Sequence, residues 1–474
     1  MTRIGVIAIS DGRDHVHRRN TGFIRSKVDD FAAALTAAGH DVISGGLVAT
    51  NTTATAAARS VAAASVDVTV FSYAGWSFPH FTMLAADATT SPLLLVASTD
   101  PTEPGLVGML AAGGALDQIG HRHTRLWGAP DDAALIEDVG VHARAGATVG
   151  SLRGSTFGRF GGRPMGMNTA VANTDQWMRK FGVDVEEIDQ YELVLRAEKA
   201  DPGEAAAGRE WFERHATVHY DGVKLTPELL ERQIRAYLAV RDLAAERHLH
   251  FSGIKAQPEL TENFATMDVA EALLNDPYDW TGPKAVHVTA TEADMDGALT
   301  MQLMHRITGT PVLFADVRHH HPDRDVWDLC NSGQHATWFV ARSDDPADNL
   351  AKVHLHPEVF FFPAGGASVA HFAAPGHMTL ARLTRRDGAY RLQPVLGDFE
   401  CYDDATNAAL AAWSTPEWPH AFARLDVPAA TFLVKFGANH IHPVPGDRRR
   451  ELRVAAESLD VRVEEWTREP APSR

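Results

Sequence analysis

The chain has 474 residues, 45% hydrophobic and 22% charged, a globular composition that excludes a mainly disordered, collagen-like or coiled-coil chain. At roughly 150 residues per domain the length allows about three domains. Asp plus Glu is 61 against 44 for Lys plus Arg, a formal net charge of −17, which makes nucleic acid and anionic membrane surfaces poor partners.

Residues 4–9 form a short apolar run, followed at once by Asp11-Gly12-Arg13. This reads as a buried first strand and is too short for the apolar core of a signal peptide. Residues 21–38 read as a helix that stops at Gly39-His40, and residues 42–44 resume extended structure. Residues 66–73 and 93–97 are Val- and Leu-rich runs of the kind found in strands covered on both faces. Residues 105–119 and 131–145 read as helices. This repeated β-then-α order implies a parallel sheet with helices on both faces. No strand–GxGxxG–helix fingerprint occurs, so no dinucleotide site is expected.

Gly150, Gly154, Gly158, Gly161 and Gly162 mark the crossing into a second α/β unit. Thr226-Pro227-Glu228 opens a long helix, with Thr as N-cap and Pro in the first turn. Extended residues 250–254, a helix at 269–274, a strand at 285–291, a helix at 294–307 and a strand at 311–317 follow. After about residue 325 the pattern turns to short strands: 337–341, 352–356, 378–383, 390–395 and 431–436. Asp387-Gly388 between two of them is a hairpin signal. A late helix is expected at 448–457 and a frayed tail at 470–474. The predicted domains are residues 1–150, 151–322 and 323–474.

Three segments carry candidate chemistry. Glu292 and Asp294 end one predicted strand, and Asp316 ends the next. Ligands gather at the carboxyl ends of strands in α/β sheets, so neighbouring strands would turn Glu292 and Asp316 into one crevice. Two carboxylates there can hold a divalent metal or act as an acid/base pair, or they can be plain helix caps. In Gly437-Ala438-Asn439-His440-Ile441-His442, His440 and His442 would share a face of an extended strand; an exposed loop is the competing reading. Gly161-Gly162-Arg163-Pro164-Met165-Gly166-Met167 allows close backbone approach to a ligand, or its methionines fill core. His319-His320-His321 reads as a flexible surface run, because consecutive residues on regular structure do not face one ion. Only two cysteines, Cys330 and Cys401, are present. They lack metal-site spacing and point to a reducing compartment, so a cytoplasmic protein is expected. No run approaches the ~18–20 apolar residues of a spanning helix.

The block Ala290-Thr291-Glu292-Ala293-Asp294, Gly297-Ala298, Thr308-Gly309-Thr310 and Phe314-Ala315-Asp316-Val317-Arg318 resembles the core of the L-fucose isomerase family, within the wider L-fucose/L-arabinose isomerase superfamily. Asn331-Ser332-Gly333, Gly437-Ala438-Asn439-His440, Asp11-Gly12-Arg13, Met165-Gly166-Met167 and Asp279-Trp280 match in the same order. The chain resembles a shorter member, reduced mainly after Asp316.

The resemblance implies two doubly wound α/β domains followed by a β-rich, antiparallel barrel-like C-terminal domain. It implies an aldose–ketose isomerase that uses Mn²⁺ or another divalent metal and a cis-enediol intermediate, with Glu292, Asp316 and His440 as metal ligands. Glu292 and Asp316 would also move the proton, and Arg13, Trp76, Ser332 and Asn439 would contact the sugar. It further implies a homo-oligomer, hexamer or trimer, with sites at subunit interfaces. Lys255 stands where the family usually has Gln. It would either admit another or modified sugar, an acidic one included, or pair with a ligand carboxylate. The alternatives to a deoxy-sugar or pentose (L-fucose/D-arabinose-like) isomerase are the same enzyme with such a sugar, or a non-catalytic sugar-binding protein.

Overall fold

The computed structural model describes residues 1–332, 334–359 and 362–466; Gly333 and the expected frayed tail at 470–474 lie outside the described residues. The chain divides into two compact units, Met1–Ser151 and Leu152–Arg474.

The first unit is a five-stranded parallel sheet built from β1 (Arg3–Ile9), β2 (Asp41–Val48), β3 (Val68–Tyr73), β4 (Leu93–Ser98) and β5 (Thr124–Gly128), in the order β2-β1-β3-β4-β5. Side chains alternate between faces along each strand. Ile7, Ile9, Phe71, Tyr73 and Leu95 pack on one side with Ala54, Ala58 and Met109. Ile4, Val6, Val68, Val70 and Leu94 pack on the other with Phe31, Leu35 and Val139. Both faces are therefore buried, as the uninterrupted apolar runs require. Gly146 sits where a Cβ would lie 2.1 Å from the backbone oxygen of Asp67, so the helix Ala133–Leu152 reaches the sheet only with glycine there. The sheet order reverses direction between β1 and β3. That reversal is the point where parallel sheets open a crevice at their carboxyl ends.

In the second unit, β6 (Thr156–Phe160), β7 (Asp184–Ile188), β9 (Phe251–Ile254) and β12 (Thr289–Thr291) form a parallel sheet ordered β12-β9-β6-β7. The helix Pro227–Glu246 begins as predicted, with the Thr226 side chain accepting from the Leu229 amide. Smaller pairings join β8 (Thr217–Val218), β15 (His354–Pro357) and β16 (Ala367–Ala370), and β10 (Tyr278–Asp279) with β11 (Gly282–Pro283). The remainder is antiparallel: β13 (Ala315–His321), β14 (Val326–Cys330), β17 (Gly376–Arg386), β18 (Ala389–Glu400), β19 (His420–Leu425) and β20 (His440–Pro445). Their order β17-β20-β13-β14-β19-β18 closes through a β17–β18 pairing into a six-stranded barrel, and β21 (Arg462–Val463) adds in parallel to β18. The β17–β18 hairpin turns at Asp387-Gly388, both at positive φ (52° and 75°).

Four expectations change. Residues 431–436 are not a strand but lie in the helix Ala429–Lys435, which buries only Phe432 and leaves Leu433 and Val434 exposed. Residues 337–341 are not a strand either; Thr337–Val340 form a 3₁₀ turn tied down by Asp276, which accepts from the Thr337 hydroxyl and the Trp338 amide. β13 does not lie beside β12: it pairs antiparallel with β14 and β20, so Asp316 belongs to the barrel. Finally, His319-His320-His321 is no flexible run. It extends β13, with His321 packed on Trp413 (ring centroids 4.7 Å apart) and His320 on Trp327 (4.5 Å).

Burial leaves several histidines uncharged. Desolvation lowers His287 to about 4 and His371 to about 3, and pushes His335 well below its ordinary value. Each takes up a proton on unfolding, so its contribution is present above the unfolded pKa of ~6.5 and is lost as pH falls through the window towards the folded value. The expected loss approaches about 1.4 kcal/mol per pH unit per histidine. Urea unfolding between pH 7 and pH 5 should show stability falling by more than one proton's slope, and His371→Gln should reduce that slope by about one proton. A pH-independent stability over this range would contradict the assignment of neutral buried rings.

Candidate active site at the mouth of the barrel

Glu292 follows β12 directly, and both Glu292 and Ala293 have positive φ (59° and 48°). The left-handed region costs a residue with a side chain roughly 1–2 kcal/mol, and such strain gathers where side-chain direction matters. The kink ends the strand and lets Asp294 begin the helix Met295–Thr308, accepting from the Gly297 amide at 2.9 Å. The plain cap reading thus holds for Asp294, but its carboxylate has more partners. Arg382 of β17 donates to it through both terminal nitrogens, at 2.6 and 2.9 Å, and His440 Nδ1 lies 2.6 Å from Oδ2. Asp294, Arg382 and His440 are all at most 1% exposed.

Asp316 and His440 are directly opposed in the β13–β20 ladder, which places their side chains together on one face. His440 Nε2 lies 3.0 Å from Glu292 Oε2 and 3.4 Å from Asp316 Oδ1. Glu292 Oε2 and His440 Nε2 are buried, and neither has a hydrogen-bond partner beyond this pair. Asn331 donates to Asp316 Oδ2 at 3.1 Å and Asn439 to Oδ1 at 3.4 Å. Phe314 packs against both His440 and His442 (centroids 4.5 and 5.0 Å), so the two histidines share a face and are buried rather than in an exposed loop.

The electrostatics follow from this geometry. Burial alone would raise Asp294, but the Arg382 guanidinium and the His440 ring outweigh it and hold the carboxyl well below the ordinary range. Burial opposes charge on His440, yet its hydrogen bond to Asp294 and the Glu292 carboxylate lift it to about 10. Asp316 is raised, mainly by burial and further by Glu292, with His440 opposing.

This donor set fits a divalent cation. A carboxylate oxygen of Glu292 and one of Asp316 each lie within 3.4 Å of the same imidazole nitrogen, and the Glu292 and His440 atoms are buried with no further hydrogen-bond partner, a set of donor types that suits a divalent ion. The other imidazole nitrogen is held by a carboxylate, the usual support of a metal-binding histidine.

The other predicted residues distribute as follows. Asn439 reaches the cluster; its Oδ1 accepts from Thr169 at 3.4 Å and its amide lies 3.8 Å from Met167 Sδ. The Met165–Met167 turn therefore borders the site rather than filling core, and Met165 is exposed. Ser332 bonds to Asn331 Oδ1 through its amide and hydroxyl and so braces the residue that holds Asp316. Lys255, at the carboxyl end of β9, is paired 2.6 Å from Glu259, which is not one of the clustered carboxylates. Arg13 and Trp76 belong to the first unit. They follow β1 and β3 at its sheet reversal, with Arg13 paired to Asp11 at 2.5 Å. Arg382 was missed in the sequence, although a charged residue inside the apolar run Leu380-Ala381-Arg382-Leu383 is itself a signal of a buried partner.

Residues 1–154 match the first N-terminal domain of L-fucose isomerase, residues 235–309 the second N-terminal domain, and residues 329–467 the C-terminal domain. The chain belongs to the L-fucose isomerase family. It is 29% identical over 248 residues to the L-fucose isomerases of Klebsiella pneumoniae and Haemophilus influenzae, covering 45% of this chain and 42% of each relative. It is 27% identical over 217 residues to that of Streptococcus pneumoniae, covering 40% and 37%. The match thus spans less than half the length of these relatives. A solved periplasmic solute-binding protein of Actinobacillus succinogenes with bound D-allose aligns over 65% of this chain and 93% of its own, at 9% identity and a TM-score of 0.18, too low to inform the fold. No helix among the described residues is long and apolar enough to cross a membrane.

Removing one partner of a buried pair strands the other charge and costs about 3–5 kcal/mol, whereas removing both often costs less. Arg382→Leu should therefore destabilise the protein by that amount in urea unfolding, and adding Asp294→Asn should recover part of the loss. Strictly additive losses would show that the two side chains are not coupled.

Proposed function

We propose that the chain is an aldose–ketose isomerase dependent on Mn²⁺ or another divalent metal. Its substrate is a neutral deoxy-sugar or pentose of the L-fucose/D-arabinose kind, interconverted through a cis-enediol. The observation that carries this reading is the approach of Glu292 and Asp316 to the same nitrogen of His440, at 3.0 and 3.4 Å, with the buried Glu292 and His440 atoms bonded to no other group. Family membership supports it, since the matched relatives are named L-fucose isomerases.

Glu292, Asp316 and His440 would hold the cation. When bound, it supplies Lewis-acid polarisation of the carbonyl and lowers the pKa of the neighbouring hydroxyl. Asp294 fixes the His440 ring by holding Nδ1, and Arg382 fixes Asp294 in turn. One of the carboxylates Glu292 and Asp316 takes the C2 proton of the open-chain aldose, and the other returns a proton at C1. Asn331, Asn439 and Ser332 keep Asp316 in place and offer polar groups to sugar hydroxyls. Arg13 and Trp76 would come from the N-terminal unit of a neighbouring subunit in a homo-oligomer, hexamer or trimer, and bind hydroxyls there. The Lys255 ammonium already has Glu259 as its counter-charge, which favours a neutral sugar over an acidic one. A merely sugar-binding protein has no use for a buried and a half-buried carboxylate beside an oriented imidazole. The two cysteines, one buried and one exposed and both free, suit a cytoplasmic location.

General acid–base groups contribute about 10²–10⁴ in rate. Glu292→Gln and Asp316→Asn should each lower kcat for aldose isomerisation by at least this factor while leaving the far-ultraviolet circular dichroism unchanged. His440→Ala should weaken Mn²⁺ binding in calorimetry. Near wild-type turnover by either carboxylate variant in EDTA-containing buffer would sink the mechanism, and unchanged Mn²⁺ affinity in His440→Ala would remove His440 from the ligand set.

A further inference from the structure

A second group of ligand-type side chains lies outside this site, on the small sheet of β8, β15 and β16. β8 and β15 run parallel with His354 beside Thr217 and Leu355 beside Val218, and the His219 amide donates to Leu355 O at 2.9 Å. Extending that register puts His219 beside His356. His354 and His356 are two apart on one strand and therefore project from the same face. Three imidazoles thus share one face: two from β15 and one from the adjoining strand end.

Their rings are close. His219 Nε2 lies 3.0 Å from His354 Nδ1, and the His219 and His356 rings stack with centroids 4.3 Å apart. One nitrogen from each ring can be chosen so that all three lie within 4.8 Å of one another. The edge of a tetrahedron with Zn–N bonds of ~2.05 Å is about 3.3 Å, so the spacing is that of ligands around one ion after small side-chain turns. The near-parallel rings (3° between His219 and His356) must rotate for their lone pairs to converge. His219 and His354 are exposed and His356 half-buried, which leaves that rotation open and a fourth position accessible to water. Among the described residues no carboxylate or thiolate belongs to the cluster, and an all-imidazole set suits Zn²⁺, Ni²⁺ or Cu²⁺ better than the hard ions Mg²⁺ and Ca²⁺.

We propose that His219, His354 and His356 form a transition-metal site, separate from the Glu292–Asp316–His440 cluster, that takes Zn²⁺ and clamps β8 to β15. The two segments are 135 residues apart in the chain, and β8 contributes only a two-residue strand to the pairing. An ion bound only in the folded state stabilises that state by mass action, so the site would reinforce a weak junction within the second unit.

The test uses the full chain after chelator treatment and dialysis, titrated with Zn²⁺ by calorimetry and with Co²⁺ by visible absorption. Glu292→Gln serves as the background that disables the other cluster. In that background one Zn²⁺ per chain should bind, Co²⁺ should show the intense visible bands of a tetrahedral site, and Zn²⁺ should raise Tm. His219→Ala, His354→Ala or His356→Ala should each weaken this binding by at least about a hundredfold, beyond the loss seen when an outer-sphere partner is removed. Each should also abolish the Zn²⁺-dependent rise in Tm. If His356→Ala does not fold, the two exposed positions decide the matter. Zn²⁺ binding that survives in His219→Ala and His354→Ala, or its absence in the Glu292→Gln background, would overturn the proposal.

Discussion

The arrangement depends first on one buried carboxylate. Asp294 accepts from the backbone at the start of its own helix, from both terminal nitrogens of Arg382 on β17, and faces Nδ1 of His440 on β20. A carboxylate offers about four lone-pair sites, and here all are used. A parallel sheet, a helix and an antiparallel barrel are thereby locked at one point, and the imidazole is left with a single orientation. Burial of so many polar groups is tolerable only because they satisfy one another. The same anchoring turns Nε2 towards Glu292 and Asp316.

The two carboxylates reach that nitrogen by different routes. Asp316 is set by ladder register, opposite His440. Glu292 is set by a strained kink after β12. Ladder register fixes a side chain to within a pleat, and a left-handed kink aims it against the preference of the chain. Burial raises Asp316 and the neighbouring Glu292 adds to it, with His440 opposing; a cation beside the two carboxylates would favour their charged forms. The proposed cation accounts for both the clustered carboxylates and the oriented imidazole.

Much of this was legible in the sequence where a single local pattern decides structure. The apolar runs of β1, β3 and β4 are buried on both faces, Asp387-Gly388 turns the hairpin, and Thr226 caps its helix. Residues 431–436 misled because their β-branched and aromatic content mimics a strand, while the chain there needs to bury only Phe432. Asp316 was recognised as a candidate ligand, but its sheet was not, since nothing local distinguishes a parallel strand from the first strand of a barrel. His440 was legible through its motif and its i, i+2 partner His442. The role of Arg382 was not: it depends on a pairing with Asp294 across 88 positions, which periodicity does not register. The His319-His320-His321 run drew notice by composition, yet its rings pack on Trp327 and Trp413. The cluster of His219, His354 and His356 drew none, because strand pairing alone brings it together.

The central claim is that Glu292 and Asp316 pass a proton between C2 and C1 of a sugar beside a bound divalent ion. The most direct measurement is turnover of L-fucose and D-arabinose in D₂O by the Mn²⁺-reconstituted protein, with the products read by NMR. The account predicts ketose formation with solvent deuterium entering at C1, and deuterium at C2 of the aldose recovered in the reverse direction, both dependent on added metal. Ketose formed with complete retention of the substrate's C2 hydrogen at C1 after many turnovers, or formed equally well without metal, would contradict it.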